Sequence, residues 1–192
     1  MSVYNLGSNR MVCWDEFLID NIENAEVRMH KPIKREKVFT CDKFWEGNVC
    51  GYESMIKLGD TYRLYYRAQN LVCNPDGTMV GNRGSFCIAE SKDGLNFVRK
   101  EINKHDYFGV TENNIFFNQG RDNFAVIYDE NPDCPRKEKF KALSMGGGDG
   151  FYKEDGGPHG IYLFVSEDGI DFKLKGRLPI PGSFDSYNLI VW

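Results

Sequence analysis

Short apolar runs separated by turn residues recur along most of this chain, and in one of them apolar and polar positions alternate with a period of two, the pattern of strands. Tyr52 to Leu58 runs into Gly59-Asp60, and Tyr62 to Ala68 runs back. Within the returning run, Tyr62, Leu64 and Tyr66 fall on one face and Arg63, Tyr65 and Arg67 on the other. Phe86 to Ser91 predicts a third strand, and the segment around Asn96-Phe-Val-Arg99 a fourth. A second series begins with Asn123 to Tyr128 and passes a turn at Asn131-Pro-Asp-Cys-Pro135 to reach Lys139–Leu143. A glycine loop over Gly146–Gly150 then leads to Ile161–Val165, and Tyr187–Trp192 predicts the first strand of a third series. Ahead of the strands, Trp14, Phe17, Leu18 and Ile22 stand at helical spacing behind Asp15, a pattern that reads equally as an extended lead-in. Lys31 to Asn48 reads as loop.

One heptapeptide occurs twice. Ser91-Lys-Asp-Gly-Leu-Asn-Phe97 returns 75 residues later as Ser166-Glu-Asp-Gly-Ile-Asp-Phe172, each time after an apolar strand. Asp-Gly between such runs predicts a tight hairpin, because glycine takes the positive φ that the turn requires. Two four-stranded antiparallel meanders are therefore expected, and that meander is the unit of a β-propeller blade. The expected layout is all-β: a lead-in over 1–50, a first blade over 51–120, a second over 121–183 and the start of a third over 184–192. Two to three blades do not close a ring, so the chain reads as the N-terminal part of a propeller. An unpaired terminal strand is a sticky edge, which further chain or a second copy of the protein would cover.

Composition narrows the function without naming it. Of 192 residues, 41% are apolar and 14% aromatic, which is globular, and the net charge of −4 gives no reason to expect nucleic acid or an anionic membrane as partner. The basic stretch Lys31–Lys37 reads as a solvated loop. No apolar run reaches the ~18 residues of a membrane helix. The N-terminus lacks a basic segment followed by an apolar one, so no secretory signal is read. Six cysteines (Cys13, Cys41, Cys50, Cys73, Cys87, Cys134) form no CxxC or Cys/His pair, so zinc is unsupported and reduced thiols in a cytoplasmic protein are expected. No cofactor is called for, and calcium in a propeller channel stays open.

Several blocks together resemble the five-bladed β-propeller glycoside hydrolase superfamily of families 32, 43 and 68. They are Phe17-Leu-Ile-Asp20, Phe44-Trp-Glu-Gly47, Tyr62-Arg-Leu-Tyr-Tyr-Arg67, Glu90 to Phe97, Asn113-Asn-Ile115, Asn131 to Pro135, Ser166 to Phe172 and Phe184-Asp-Ser-Tyr-Asn188. The resemblance implies an axial funnel with one acidic residue from each of the first three blades, acting on an oligosaccharide or small glycoside. Cleaving a glycosidic bond requires such a set: an acid for the leaving oxygen and a carboxylate as base or nucleophile, with a third acid tuning the first. The chain departs from the family 32 pattern in three places. The Trp-Met-Asn-Asp-Pro-Asn-Gly-like nucleophile motif is absent, Arg-Asp-Pro is matched only by Arg121-Asp122, and the Glu-Cys acid motif is missing.

The candidate acids stand where the innermost strands begin. Asp122 precedes Asn123-Phe-Ala-Val-Ile, and Asp185 precedes Tyr187-Asn-Leu-Ile-Val in matching phase. The equivalent point of the first unit is Cys50, with Glu46 and Glu53 as the nearby acids, and which of them faces the axis is open at this level. Trp45 beside Glu46 is either a stacking platform for a sugar ring or a wedge between blades. Arg67 and Arg121 either bind substrate or pair with axial carboxylates. Asp93 and Asp168 read as turn residues, and Gly146–Gly150 lacks the Lys-Ser/Thr of a phosphate loop. Hydrolysis leads these expectations. Its rivals are a glycoside phosphorylase with one acid and inorganic phosphate as nucleophile, and a non-catalytic glycan-binding or assembly module.

Overall fold

The computed structural model describes residues 4–9, 11, 15–81, 84–118, 123–146, 159–182, 184 and 187–191. The chain divides into two units, 1–36 and 37–192. In the first, Asp15 accepts a hydrogen bond from the Phe17 amide, one turn closes from Glu16 to Ile19, and no helix forms among the described residues. The helical spacing there thus resolves to an extended lead-in, because a single capped turn does not propagate through Asp20-Asn21.

The second unit contains every described strand. The first sheet is a meander of β1 (Val49–Leu58), β2 (Thr61–Gln69), β5 (Ser85–Ser91) and β6 (Val98–Arg99), in the order β1-β2-β5-β6. A small hairpin, β3 (Leu71–Cys73) with β4 (Met79–Gly81), is inserted between β2 and β5. The predicted fourth strand pairs through only two residues. β7 (Ile115–Phe117) pairs with the rest of the same edge of β5, so two short segments share the place of one strand. The second sheet is the meander β8 (Ala125–Tyr128), β9 (Phe140–Gly146), β10 (Gly160–Ser166) and β11 (Lys173–Arg177), antiparallel throughout.

Alternation explains the layering. β2, β5, β9 and β10 bury side chains on both faces, so each sheet has two apolar faces to cover. Tyr65, Phe86 and Ile88 from the first sheet meet Ala142, Tyr162 and Phe164 from the second in one core. Phe124 stands at its centre, with the rings of Phe86, Phe116, Phe117, Phe164 and Phe172 at centroid distances of 4.4–5.8 Å. On the other face of the first sheet, Tyr66, Cys87, Ala89 and Ile115 are covered by Phe39, Cys41 and Trp45 of the segment before β1. The other face of the second sheet, Leu143, Met145 and Ile161, is covered by Leu178, Phe184 and Ile190.

This last contact corrects the expected third-unit strand. Residues 187–191 pair with no strand, and Ile190 packs on the outer face of the second sheet instead. With no adjacent strand to continue its ladder, the segment buries apolar side chains without forming backbone pairs.

The repeated heptapeptide folds twice into the same turn. Ser91 Oγ accepts from the Gly94 amide at 3.0 Å and donates to Asp93 Oδ1 at 2.8 Å; the corresponding distances at Ser166, Gly169 and Asp168 are 3.0 and 2.9 Å. Each aspartate then accepts the next two amides, from Leu95 and Asn96 or from Ile170 and Asp171. Hydrogen bonds from Asn96 and Leu95 hold the Asp93 carboxyl well below the ordinary carboxylate range. Both glycines have positive φ, +75° and +72°.

Their surroundings differ in one respect. Tyr65 of β2 crosses to the second turn and donates its hydroxyl to the Gly169 carbonyl at 3.0 Å, while Arg63 Nη1 donates to the Asp168 carbonyl at 2.7 Å. A Cβ at Gly169 would lie 2.5 Å from Tyr65 Oη and 2.7 Å from Phe140, whereas at Gly94 the nearest atoms, of Tyr62, are 3.6 Å away. Gly94→Ala should therefore cost only the left-handed backbone, about 1–2 kcal/mol. Gly169→Ala should add about 1–3 kcal/mol of overpacking. Thermal or denaturant unfolding of the two variants is expected to rank Gly169→Ala as clearly the less stable.

Candidate functional site

The sequence candidates separate into two places, one sealed and one open. The sealed place is the segment before β1. Phe44–Glu46 forms a short 3-10 turn, and Gly47 follows with φ +68° where a Cβ would lie 2.4 Å from the Gln69 carbonyl oxygen. This close approach lets the turn dock on the end of β2. Glu46 points inward and is fully buried. Its Oε1 accepts from the Tyr66 hydroxyl at 2.6 Å and Arg99 Nε at 2.8 Å; its Oε2 accepts from the Lys43 amide at 2.9 Å and Arg99 Nη2 at 2.7 Å.

Arg99 also binds the Thr40 carbonyl and Asp42, and it lies 4.9 Å from the Phe39 ring centroid. Trp45 Nε1 donates to Asn114 Oδ1 at 2.7 Å, and Asn114 in turn donates to Tyr66 Oη at 2.7 Å. Burial alone would raise the Glu46 carboxyl's pKa, but the hydrogen bonds from Arg99, Tyr66 and Lys43 outweigh it and hold it below its ordinary value. Burial raises Tyr66.

Glu46 and Trp45 are thus placed as fasteners. The carboxylate has four donors and no exposed edge, and the indole N–H is committed to Asn114. The partners Tyr66, Arg99 and Asn114 were not among the candidate site residues, although Tyr66 and Asn114 lie in two of the blocks on which the resemblance rested. Asn113 itself is buried and donates to the His105 and Val110 carbonyls.

The open place is a β-bulge in β1. Pairing with β2 shifts register between Gly51 and Ser54, so Tyr52 and Glu53 together occupy the space opposite Tyr66. Tyr52 adopts φ +53°, a left-handed conformation that costs a residue with a Cβ about 1–2 kcal/mol. Arg67 lies over the Tyr52 ring at 4.5 Å, and Tyr187 stacks on it at 5.5 Å with 6° between the planes. The Tyr187 hydroxyl donates to the Glu53 carbonyl at 3.0 Å, and the Glu53 side chain is exposed. Burial raises the Tyr187 hydroxyl's pKa. β8 runs beside this stretch of β1, with the Val126 amide donating to Ser54 Oγ at 3.2 Å.

Of the sequence candidates, Glu53, through its backbone carbonyl, and Arg67 both contact the Tyr52–Tyr187 ring pair. Asp122, Asp185 and Arg121 lie outside the described residues. The aromatic pair went unread in the sequence. Cys41, Cys50, Cys73, Cys87 and Cys134 are free thiols, and among the described residues no group of three or more His, Cys, Asp or Glu side chains is placed to hold a metal ion. No described helix is long and apolar enough to cross a membrane. In comparisons with known proteins, neither a family model nor a curated protein matches the chain.

Removing one partner of the buried pair leaves the other uncompensated. Glu46→Gln should cost about 3–5 kcal/mol in urea unfolding. Because the folded carboxyl titrates below its ordinary value of 4.5, its contribution is complete above that pH and fades as the pH falls through the folded value. The stability gap between parent and Glu46→Gln should therefore stay constant from neutral pH down to about 4.5 and narrow only below it.

Proposed function

We propose that the chain is part of a five-bladed-type β-propeller that acts on carbohydrate, cleaving a glycosidic bond by carboxylate acid/base catalysis. The observation that carries this reading is the meeting of strand openings. β1 and β8, which open the two meanders, lie side by side, and Tyr187 in the opening segment of the third unit reaches the β1 bulge. Like meanders sharing a line of opening strands have the arrangement of propeller blades. The two turns built on Ser91 and Ser166 support the same repeat.

In that arrangement each unit directs the acid at its opening toward a common channel. The first contributes Glu53, since the Glu46 carboxylate is sealed and saturated, and the second and third contribute Asp122 and Asp185. One protonated carboxyl donates to the leaving oxygen. A second, ionised, attacks the anomeric carbon or takes a proton from the attacking water, and the third raises the first one's pKa by like-charge repulsion. Hydrolysis rather than phosphorolysis is the proposed outcome, with an oligosaccharide or small glycoside as substrate.

Chromogenic fructosides, arabinosides and xylosides, offered with and without phosphate, test the reaction. Release independent of phosphate is expected for at least one. Release only with phosphate would make the protein a phosphorylase, and sugar binding without turnover would make it a recognition module. Asp122→Asn and Asp185→Asn should each reduce kcat by about 10²–10⁴-fold with little change in Tm. Undiminished turnover in both would remove these carboxylates from the chemistry.

A further inference from the structure

Two thiols meet where the segment before β1 lies on the first sheet. Cys50 stands in β1 opposite Ala68 and packs on the cluster that holds Ala68, Tyr66 and Cys87. Cys41 comes from the covering segment and packs on the same cluster. The two side chains are hydrogen-bond partners, and Cys50 Sγ also approaches the Glu46 carbonyl at 3.6 Å. Both are only partly buried, whereas the neighbouring Cys87 is fully buried. Two sulfurs in contact, one from each of two packed segments, are the starting geometry of a disulfide.

The pair is also unequal. The hydrogen bond from Cys41 lowers the pKa of the Cys50 thiol, while the same contact and burial raise that of Cys41. Burial holds Cys87 protonated. Cys50 is therefore the nucleophile and Cys41 the resolving thiol. We propose that Cys41 and Cys50 form a peroxide-sensitive dithiol site, at which an intrachain disulfide fastens the segment before β1 to the sheet. The Cys50 thiolate attacks one oxygen of hydrogen peroxide, the O–O bond breaks, and the leaving hydroxide takes up a proton as water. Cys41 Sγ then attacks the Cys50 sulfenic sulfur, the S–O bond breaks, and the hydroxyl leaves with the Cys41 proton as a second water. The two thiols lose two electrons and the peroxide gains them. The closed loop runs from 41 to 50 and contains Glu46, so the new bond acts on the segment that the buried carboxylate already fixes. The site is independent of the carbohydrate reading.

The full chain, reduced and then freed of reductant, is treated with hydrogen peroxide at neutral pH, and the remaining thiols are alkylated in urea. Alkylated thiols should fall by two from six, in a chain that still runs as a monomer on a non-reducing denaturing gel. Cleavage after Lys43 separates the two cysteines, so trypsin should release peptides 38–43 and 44–57 joined by a disulfide. The same treatment in urea, where the contact is lost, should scatter links among the six cysteines. Cys50→Ser should give no linked pair, and Cys41→Ser should halt at a Cys50 sulfenic acid that dimedone traps. The oxidised chain should melt about 5–10 °C above the reduced one, and dithiothreitol should reverse the gain. Absence of the 38–43 to 44–57 link in the unaltered chain, or a link no more frequent than in urea, would overturn the site whether or not either variant folds. A linked chain that melts no higher than the reduced one would overturn the fastening.

Discussion

The structure depends on a surplus of apolar faces. A four-stranded meander with apolar side chains on both sides cannot stand in water alone, so something must lie against each face. In the first sheet one face receives the segment before β1 and the other receives the second sheet. The second sheet repeats the problem and is covered outside by the chain after β11. From this follow the order of the layers, the position of Phe124 at the centre of five other rings, and the side-by-side course of β1 and β8.

The covering segment before β1 is held by polar chemistry as well as by packing. Phe39, Cys41 and Trp45 supply apolar contact, but their register on the sheet is fixed by Glu46 with Arg99, Tyr66 and Asn114. A buried carboxylate tolerates little displacement, because each lost donor leaves a desolvated charge. The four donors around Glu46 therefore set where β1 begins, and so place the bulge three residues beyond Val49.

Much of the fold was legible in the sequence because its determinants are local. Alternation over Tyr62–Ala68 and the Asp-Gly turns each involve residues within a few positions; the structure returns the alternation as read and the turn in both copies, though as a six-residue loop between paired strands and not a tight hairpin. The buried network of Glu46 was not legible because its partners Tyr66 and Arg99 lie 20 and 53 residues away, a distance that composition and spacing do not bridge. The left-handed Tyr52 was invisible for another reason: sequence offers glycine or asparagine as the sign of positive φ, and a tyrosine gives none. The strand expected over 187–192 did not form at 187–191 because an apolar run reports burial and not pairing. Ile190 is half-buried by a sheet face, which satisfies the pattern without a ladder.

The bond from Tyr65 to the Gly169 carbonyl joins residues 104 positions apart, across the two sheets. A contact of that span makes the halves a single cooperative folding unit. The first meander, cut off after residue 118, would expose Phe86, Phe116 and Phe117 and leave the Tyr65 hydroxyl facing nothing built to receive it. During synthesis, then, the amino-terminal sheet waits for its successor, and the protein gains its final order only once residues 160–170 have emerged.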